Sequence, residues 1–194
     1  MPAKKLSPPR LPAIPDERLT PAQRSLVDSI RSGPRGQATQ IRGPFAVFLH
    51  SPEYGQRAQE LGGYCRLETK VPPRLSEFAI LVTARLWRAQ YEWFAHVPHA
   101  ERAGVSAPTI KALHAGRVPK SLPKDERAVY DFIKELYRVK RVGDKTYAHL
   151  HALLGDDGMV ELVGILGYYV LIAMSLNVFR MGPPEGEPLP FPEA

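Results

Sequence analysis

The stretch "PPRLSEFAILVTARLWRAQYEWFAHV", residues 72–97, decides the fold. Its apolar residues recur at helical spacing, and neither glycine nor proline falls in 78–95 to interrupt them. Periodicity alone therefore predicts one long helix. On a straight helix Glu77 and His96, 19 residues apart, would be separated by about 28 Å at a rise of roughly 1.5 Å per residue. Two side chains that far apart cannot act on one small molecule. Either they are unrelated, or the helix breaks between them and the chain folds back.

The flanking sequence reads as further helices joined by short loops. In "TPAQRSLVDSI" Thr20 caps and Pro21 takes the first helical position. Ser51 and Pro52 repeat the pattern in "SPEYGQRAQELGGYCRL". "SAPTIKALHAG" starts at Ser106 and stops at Gly116, and "GDKTYAHLHALLGDDG" runs from an Asp144 cap to Gly155. Positions 129, 132, 133, 136 and 137 form an apolar stripe in "PKDERAVYDFIKELYRVKR". Residues 31–44, rich in glycine and proline, read as a loop. No segment alternates with period two and no repeat is visible. The class is all-α: a compact single-domain helical bundle over 19–182, between an extended N-terminal arm (1–18) and a Pro-rich C-terminal tail (183–194).

Residues 159–179, "MVELVGILGYYVLIAMSLNVF", are nearly long enough to span a bilayer. Glu161, Ser175 and Asn177 interrupt the run, and other amphipathic helices are available to cover it. A buried central helix, or one at a subunit interface, is the expected reading, with no membrane partner. Lone Glu161 needs a partner there, an arginine or a backbone cap.

The net charge is +6, from 26 Lys and Arg against 20 Asp and Glu. The basic residues are scattered, the densest groups being Lys4–Lys5 and Arg138/Lys140/Arg141. A nucleic-acid surface is usually denser, so the charge is expected to serve a small anionic substrate. Cys65 is the only cysteine, which excludes an internal disulfide and any two-thiol cycle within the chain. The N-terminus is basic without an apolar run, so no secretory signal is expected and the location is expected to be cytoplasmic.

Chemistry concentrates in "RAQYEWFAHVPHA", residues 88–100. Glu92 and His96 stand one helical turn apart, a spacing that suits two metal ligands or a carboxylate orienting an imidazole. Glu77, set among apolar residues, is a second carboxyl with a partly buried environment, or simply the acidic first turn of a helix. Arg85 and Arg88 offer clamps for a carboxylate. His50, in "VFLHSPEY", joins the set if the fold brings it there, and Trp93 is expected as core or pocket wall. His99, His114, His149 and His151 have weaker cases.

Residues 43 to about 182 resemble the carboxymuconolactone decarboxylase family, which also holds the alkylhydroperoxidase D enzymes. The resemblance rests on "GPFAVFLHSPEYGQRAQELGGYCR", on 72–106, on "DERAVYDFIKEL" and on "VELVGILGYYVLIAMSLNVF". The alkylhydroperoxidase branch carries Glu, eleven residues, Cys, two residues, Cys, three residues, His. This chain carries Glu77, Ala89, Glu92 and His96 at those positions. The resemblance implies that the Glu77 helix ends before the motif, that the motif opens the next helix with a break around 86–90, and that Glu77 and His96 converge on one pocket. It also implies a homo-oligomer, a dimer, trimer or hexamer.

Peroxide reduction in that branch needs an attacking and a resolving thiol, and Ala89 and Glu92 supply neither. The decarboxylase branch needs no cofactor, and the resemblance implies a lyase of that kind acting on a small carboxylated or lactone substrate. His96, Glu92 and Glu77 are then the expected catalytic residues, and Arg85, Arg88, His50 and Trp93 the substrate-binding ones. A metal enzyme using Glu92, His96 and one of His50 or His99, and a non-catalytic oligomeric relative, stand as alternatives.

Overall fold

A computed structural model describes residues 7–192. Among the described residues there are eight α-helices, one 3-10 turn (Asp16–Arg18) and no strand. Helix α4 (Pro73–Trp87) is the axis of the bundle. Every residue from Leu75 to Ala84 is buried, polar Ser76, Glu77 and Thr83 included. It is enclosed by α5 (Gln90–Ala103), α6 (Ala107–His114), α7 (Lys124–Val139) and α8 (Asp144–Phe179). Helix α3 (Pro52–Leu67) lies against α8 and carries α1 (Pro21–Ser32) and the short α2 (Pro44–Phe48). Periodicity gave no helix at 44–48; Gly43 in the left-handed region (φ 58°) starts it, and Pro44 takes its first position.

The single helix suggested by periodicity over 72–97 is two helices. Arg88 adopts φ 51° and ψ 36°, the left-handed conformation that ends a helix. The Ala89 N–H reaches back to the Ala84 carbonyl at 2.9 Å, and Arg88 N–H to Arg85 O at 3.2 Å. This is a Schellman-type ending built without glycine. A non-glycine residue there costs about 1 kcal/mol, and the recovered hydrogen bonds offset it. Lys140 and Arg180 end α7 and α8 in the same way, their charges next to the negative helix ends.

Helix starts follow the sequence in part. Thr20 and Gln23 form a capping box, and Ser106 accepts from the Thr109 N–H. Ser51 stands at its cap position without a cap hydrogen bond, and Asp144 is the first helical residue behind a Gly143 cap. Arg74 at the start of α4 grips both Asp125 and the buried Glu126 at the start of α7. Helix α8 breaks at Gly155 (φ 65°, ψ −177°), where the sequence placed a stop, and resumes at once.

Among the described residues α8 is the one helix long and apolar enough to cross a membrane. One face of it, including Leu162, Ile165, Leu166, Tyr169, Ile172 and Leu176, is buried in the bundle. The opposite face, Val160, Val163, Gly164, Gly167, Met174 and Val178, is exposed. Glu161 finds its partners within the chain: it accepts from the Tyr64 hydroxyl and the Lys70 backbone N–H, each at 2.6 Å. The described parts of both terminal segments make contacts with the bundle. Arg10 N–H bonds Phe179 O at 3.1 Å, His50 donates to Pro12 O at 3.1 Å, and Phe191 is buried.

One close approach fixes α3 against α8. A Cβ at Gly62 would lie 2.0 Å from the Tyr168 hydroxyl oxygen and 2.2 Å from Cζ. Gly62→Ala is therefore expected to lower stability by about 1–3 kcal/mol in urea unfolding. Adding Tyr168→Leu should recover part of the loss; strictly additive losses would show that the two positions are not coupled.

Candidate active site

The turn at Arg88 sends α5 back along α4, and the side chains of the motif meet. His96 Nδ1 lies 2.7 Å from Glu77 Oε2, and both residues are buried. The hydrogen bond fixes the tautomer: Nδ1 carries the donated proton, which leaves Nε2 for exchange. Arg66, at the end of α3, places its Nε 3.9 Å from Glu77 Oε1. Burial pushes the Glu77 pKa up, but His96 and Arg66 together outweigh it and hold the carboxyl below its usual range. Tyr169 from α8 stacks edge-on against the imidazole, 5.0 Å away at 89°.

These groups adjoin a cavity of about 680 Å³ between α5, α8, the end of α3 and the loop 33–43. Glu92, His96 and His99 of α5 line it, with Tyr168 and Tyr169 of α8. Three arginines reach it: Arg66, and Arg35 and Arg42 from the loop. Phe45, Tyr91, Phe94, Ile172 and Leu176 make the remaining wall largely apolar. Glu77 does not line the cavity. It stands behind His96, so the expected convergence is one of contact rather than of two groups opening into one space.

Glu92 differs from every other acid among the described residues. It is fully buried, both carboxyl oxygens lack a hydrogen-bond partner, and it is a wall residue of the cavity. It occupies the first turn of α5, whose positive end favours a carboxylate. Burial without a partner wins, and its pKa lies well above the normal range. Burial thus favours the protonated, neutral form of Glu92. Fifteen positions earlier, Glu77 has an imidazole and a guanidinium as partners, and Glu92 has neither.

His99 has both ring nitrogens faced by guanidiniums, Arg66 on Nε2 and Arg102 on Nδ1, each at 2.6 Å. Burial and these cations lower its pKa to about 4, so it is neutral at neutral pH. Cys65 is buried, and burial raises its thiol pKa, the opposite of an activated thiolate.

Four of the residues expected at a substrate lie elsewhere. His50 is exposed and engaged by Pro12 O. Arg85 donates to His114 O, Arg88 donates to Pro192 O, and Trp93 packs on His114 and Phe191. None of the four lines the cavity. Sequence reasoning missed Arg35, Arg42 and Arg66. The first two sit in the glycine-rich loop just ahead of the family-like stretch, a place where binding residues concentrate. Arg66 carried no signal beyond its charge. No three His, Cys, Asp or Glu side chains among the described residues converge as metal ligands.

No family model and no curated protein matches the chain. Solved structures do. One is described as an alkylhydroperoxidase D core, a peroxidase-related protein of Ralstonia eutropha, with TM-score 0.76 and 15% identity over 91% of this chain and 93% of that one. Another is a protein of unknown function from Agrobacterium tumefaciens, associated by name with alkylhydroperoxidase D and antioxidant defence, with TM-score 0.63 and 18% identity over 71% and 96%. The chain has the alkylhydroperoxidase D-like fold.

The state of Glu92 has a thermodynamic signature. Its folded-state pKa is raised, so above the ordinary carboxyl range the unfolded chain releases a proton that the native state keeps. Stability then falls as pH rises from about 4.5 until the native carboxyl itself ionises. Glu92→Gln cannot ionise and should lose this slope. Measured against its own value near pH 4, the variant should gain progressively on wild type as the pH is raised toward 8. Parallel stability curves would mean that Glu92 is charged in the native state.

Proposed function

We propose that the chain is a cofactor-independent acid–base enzyme acting on a small carboxylated or lactone substrate, of the carboxymuconolactone decarboxylase type. The observation that carries the reading is the placement of a buried, unpartnered Glu92 beside a Glu77-oriented His96 in one cavity. Acid and base roles need titratable groups whose surroundings push them apart, and the carboxyls of Glu77 and Glu92 have that property. The three arginines at the wall supply what an anion needs, in place of Arg85 and Arg88.

In this reading Arg42 and Arg66 hold a substrate carboxylate or lactone oxygen. The bond to the departing carboxylate breaks, carbon dioxide leaves, and the electron pair passes into the adjacent conjugated carbonyl as an enolate. Glu92 gives its proton to carbon. The carboxylate left behind is buried without a counter-charge, which favours its reprotonation; His96 Nε2, the unprotonated ring nitrogen, takes a proton from solvent in the cavity and passes it to Glu92 one turn away. Glu77 orients the ring throughout. Thiol chemistry of the peroxidase branch has no nucleophile here.

The test is carbon dioxide release, or double-bond migration, from a panel of small dicarboxylic lactones. His96→Ala and Glu92→Gln should each lower kcat by about 10²–10⁴-fold. Arg42→Gln, at the mouth, should act mainly on KM. A rate unchanged in His96→Ala would sink the assignment.

We also propose self-association through the exposed stripe of α8, with a second copy as the occupant. Val160 is 73% exposed and Val163 50%, an apolar face that water does not favour. Val163→Glu should reduce the mass measured by light scattering; a monomeric wild type would remove the proposal.

A further inference from the structure

Arg85, Arg88 and Trp93 converge, but on the chain's own C-terminal segment. Phe191 is buried between Trp93 (ring centroids 5.3 Å, 67°), His114 (5.5 Å, 29°) and the Arg85 guanidinium, 5.1 Å from the ring centre. Its backbone is bracketed by one side chain: Gln90 Nε2 donates to Phe191 O at 2.8 Å and Phe191 N–H donates to Gln90 Oε1 at 2.8 Å. His114 Nε2–H donates to Pro190 O at 2.6 Å, and Arg88 donates to Pro192 O. Prolines have no N–H, so Phe191 carries the single backbone donor of residues 190–192. Every polar backbone group of the tripeptide is therefore met by a side chain of the bundle. The flanking prolines restrict the free segment and reduce the entropy lost on docking. This is a built socket, specific for an aromatic ring between two prolines.

The socket is attached to the site. Gln90 is the first residue of α5 and Trp93 follows Glu92, so the acid is flanked on both sides by residues that hold the tail. The first turn of a helix has few intrahelical hydrogen bonds of its own. Here Gln90, which starts that turn, is buried and spends its side chain on Phe191.

We infer that residues 190–192 are a latch that holds the first turn of α5 in place, and that Gln90 and Phe191 are positioning residues for Glu92. The inference stands on this packing and does not need the acid–base reading to be right.

Amide hydrogen exchange tests it on the full chain. Phe191→Ala should speed exchange of the amides of residues 93–96 by at least about tenfold while α1 and α3 keep their protection. A peptide spanning residues 186–192, added in excess, should restore protection; the same peptide with alanine for phenylalanine should not. Gln90→Glu keeps the acceptor for the Phe191 N–H and removes the donor to its carbonyl. It should give a smaller increase at the same amides, and it serves if Phe191→Ala does not fold. Unchanged exchange in α5, a uniform rise over all helices, or failure of the phenylalanine peptide to act better than its alanine counterpart would each overturn the latch. None of these readouts requires turnover, so the latch and the proposed reaction can fail separately.

Discussion

The chain reversal at Arg88 is the constraint on which the rest of the molecule depends. Two helices that shared one axis would hold Glu77 and His96 far apart. Because Arg88 accepts a left-handed backbone, α5 returns along α4 and the two side chains meet at 2.7 Å. The reversal also turns the first residues of α5 toward the C-terminal segment, and it frees the Arg88 side chain to bind Pro192. Its energetics are local: one unfavourable backbone conformation against recovered helix-end hydrogen bonds.

The cavity then separates two carboxyl groups by environment rather than by sequence. Glu77 and Glu92 are both buried, and desolvation opposes ionisation of each. Glu77 has an imidazole in hydrogen bond and a guanidinium nearby, and the opposing effect is overcome. Glu92 has only the helix end, and that weaker field loses.

Helix starts with an oxygen cap and an early proline, such as Thr20–Pro21, were legible because the cap is local chemistry. The stop at Gly155 was legible for the same reason, although α8 resumes beyond it. The end of α4 was not, because arginine rarely takes the left-handed conformation and nothing nearby announces it. The distance between Glu77 and His96 made a fold-back a condition of their working together; only the resemblance chose it. Residues near the motif in sequence were assigned to the substrate, but sequence proximity does not say which face of a helix a side chain leaves from. Arg85, Arg88 and Trp93 face away from the cavity, toward residues about a hundred positions later. Arg35 and Arg42 reach it from a loop whose path no periodicity describes.

The imidazole of His99 carries a further consequence. A neutral ring has one lone pair to offer, and two guanidiniums compete for it, Arg66 from one side and Arg102 from the other. The two tautomers of His99 are thus two different charge arrangements at the wall of the cavity. In one, Arg66 is occupied by the ring; in the other, Arg102 takes the lone pair and Arg66 keeps only Glu77, 3.9 Å away. An anion entering the cavity offers Arg66 a further acceptor and so favours the tautomer in which Arg102 holds the ring.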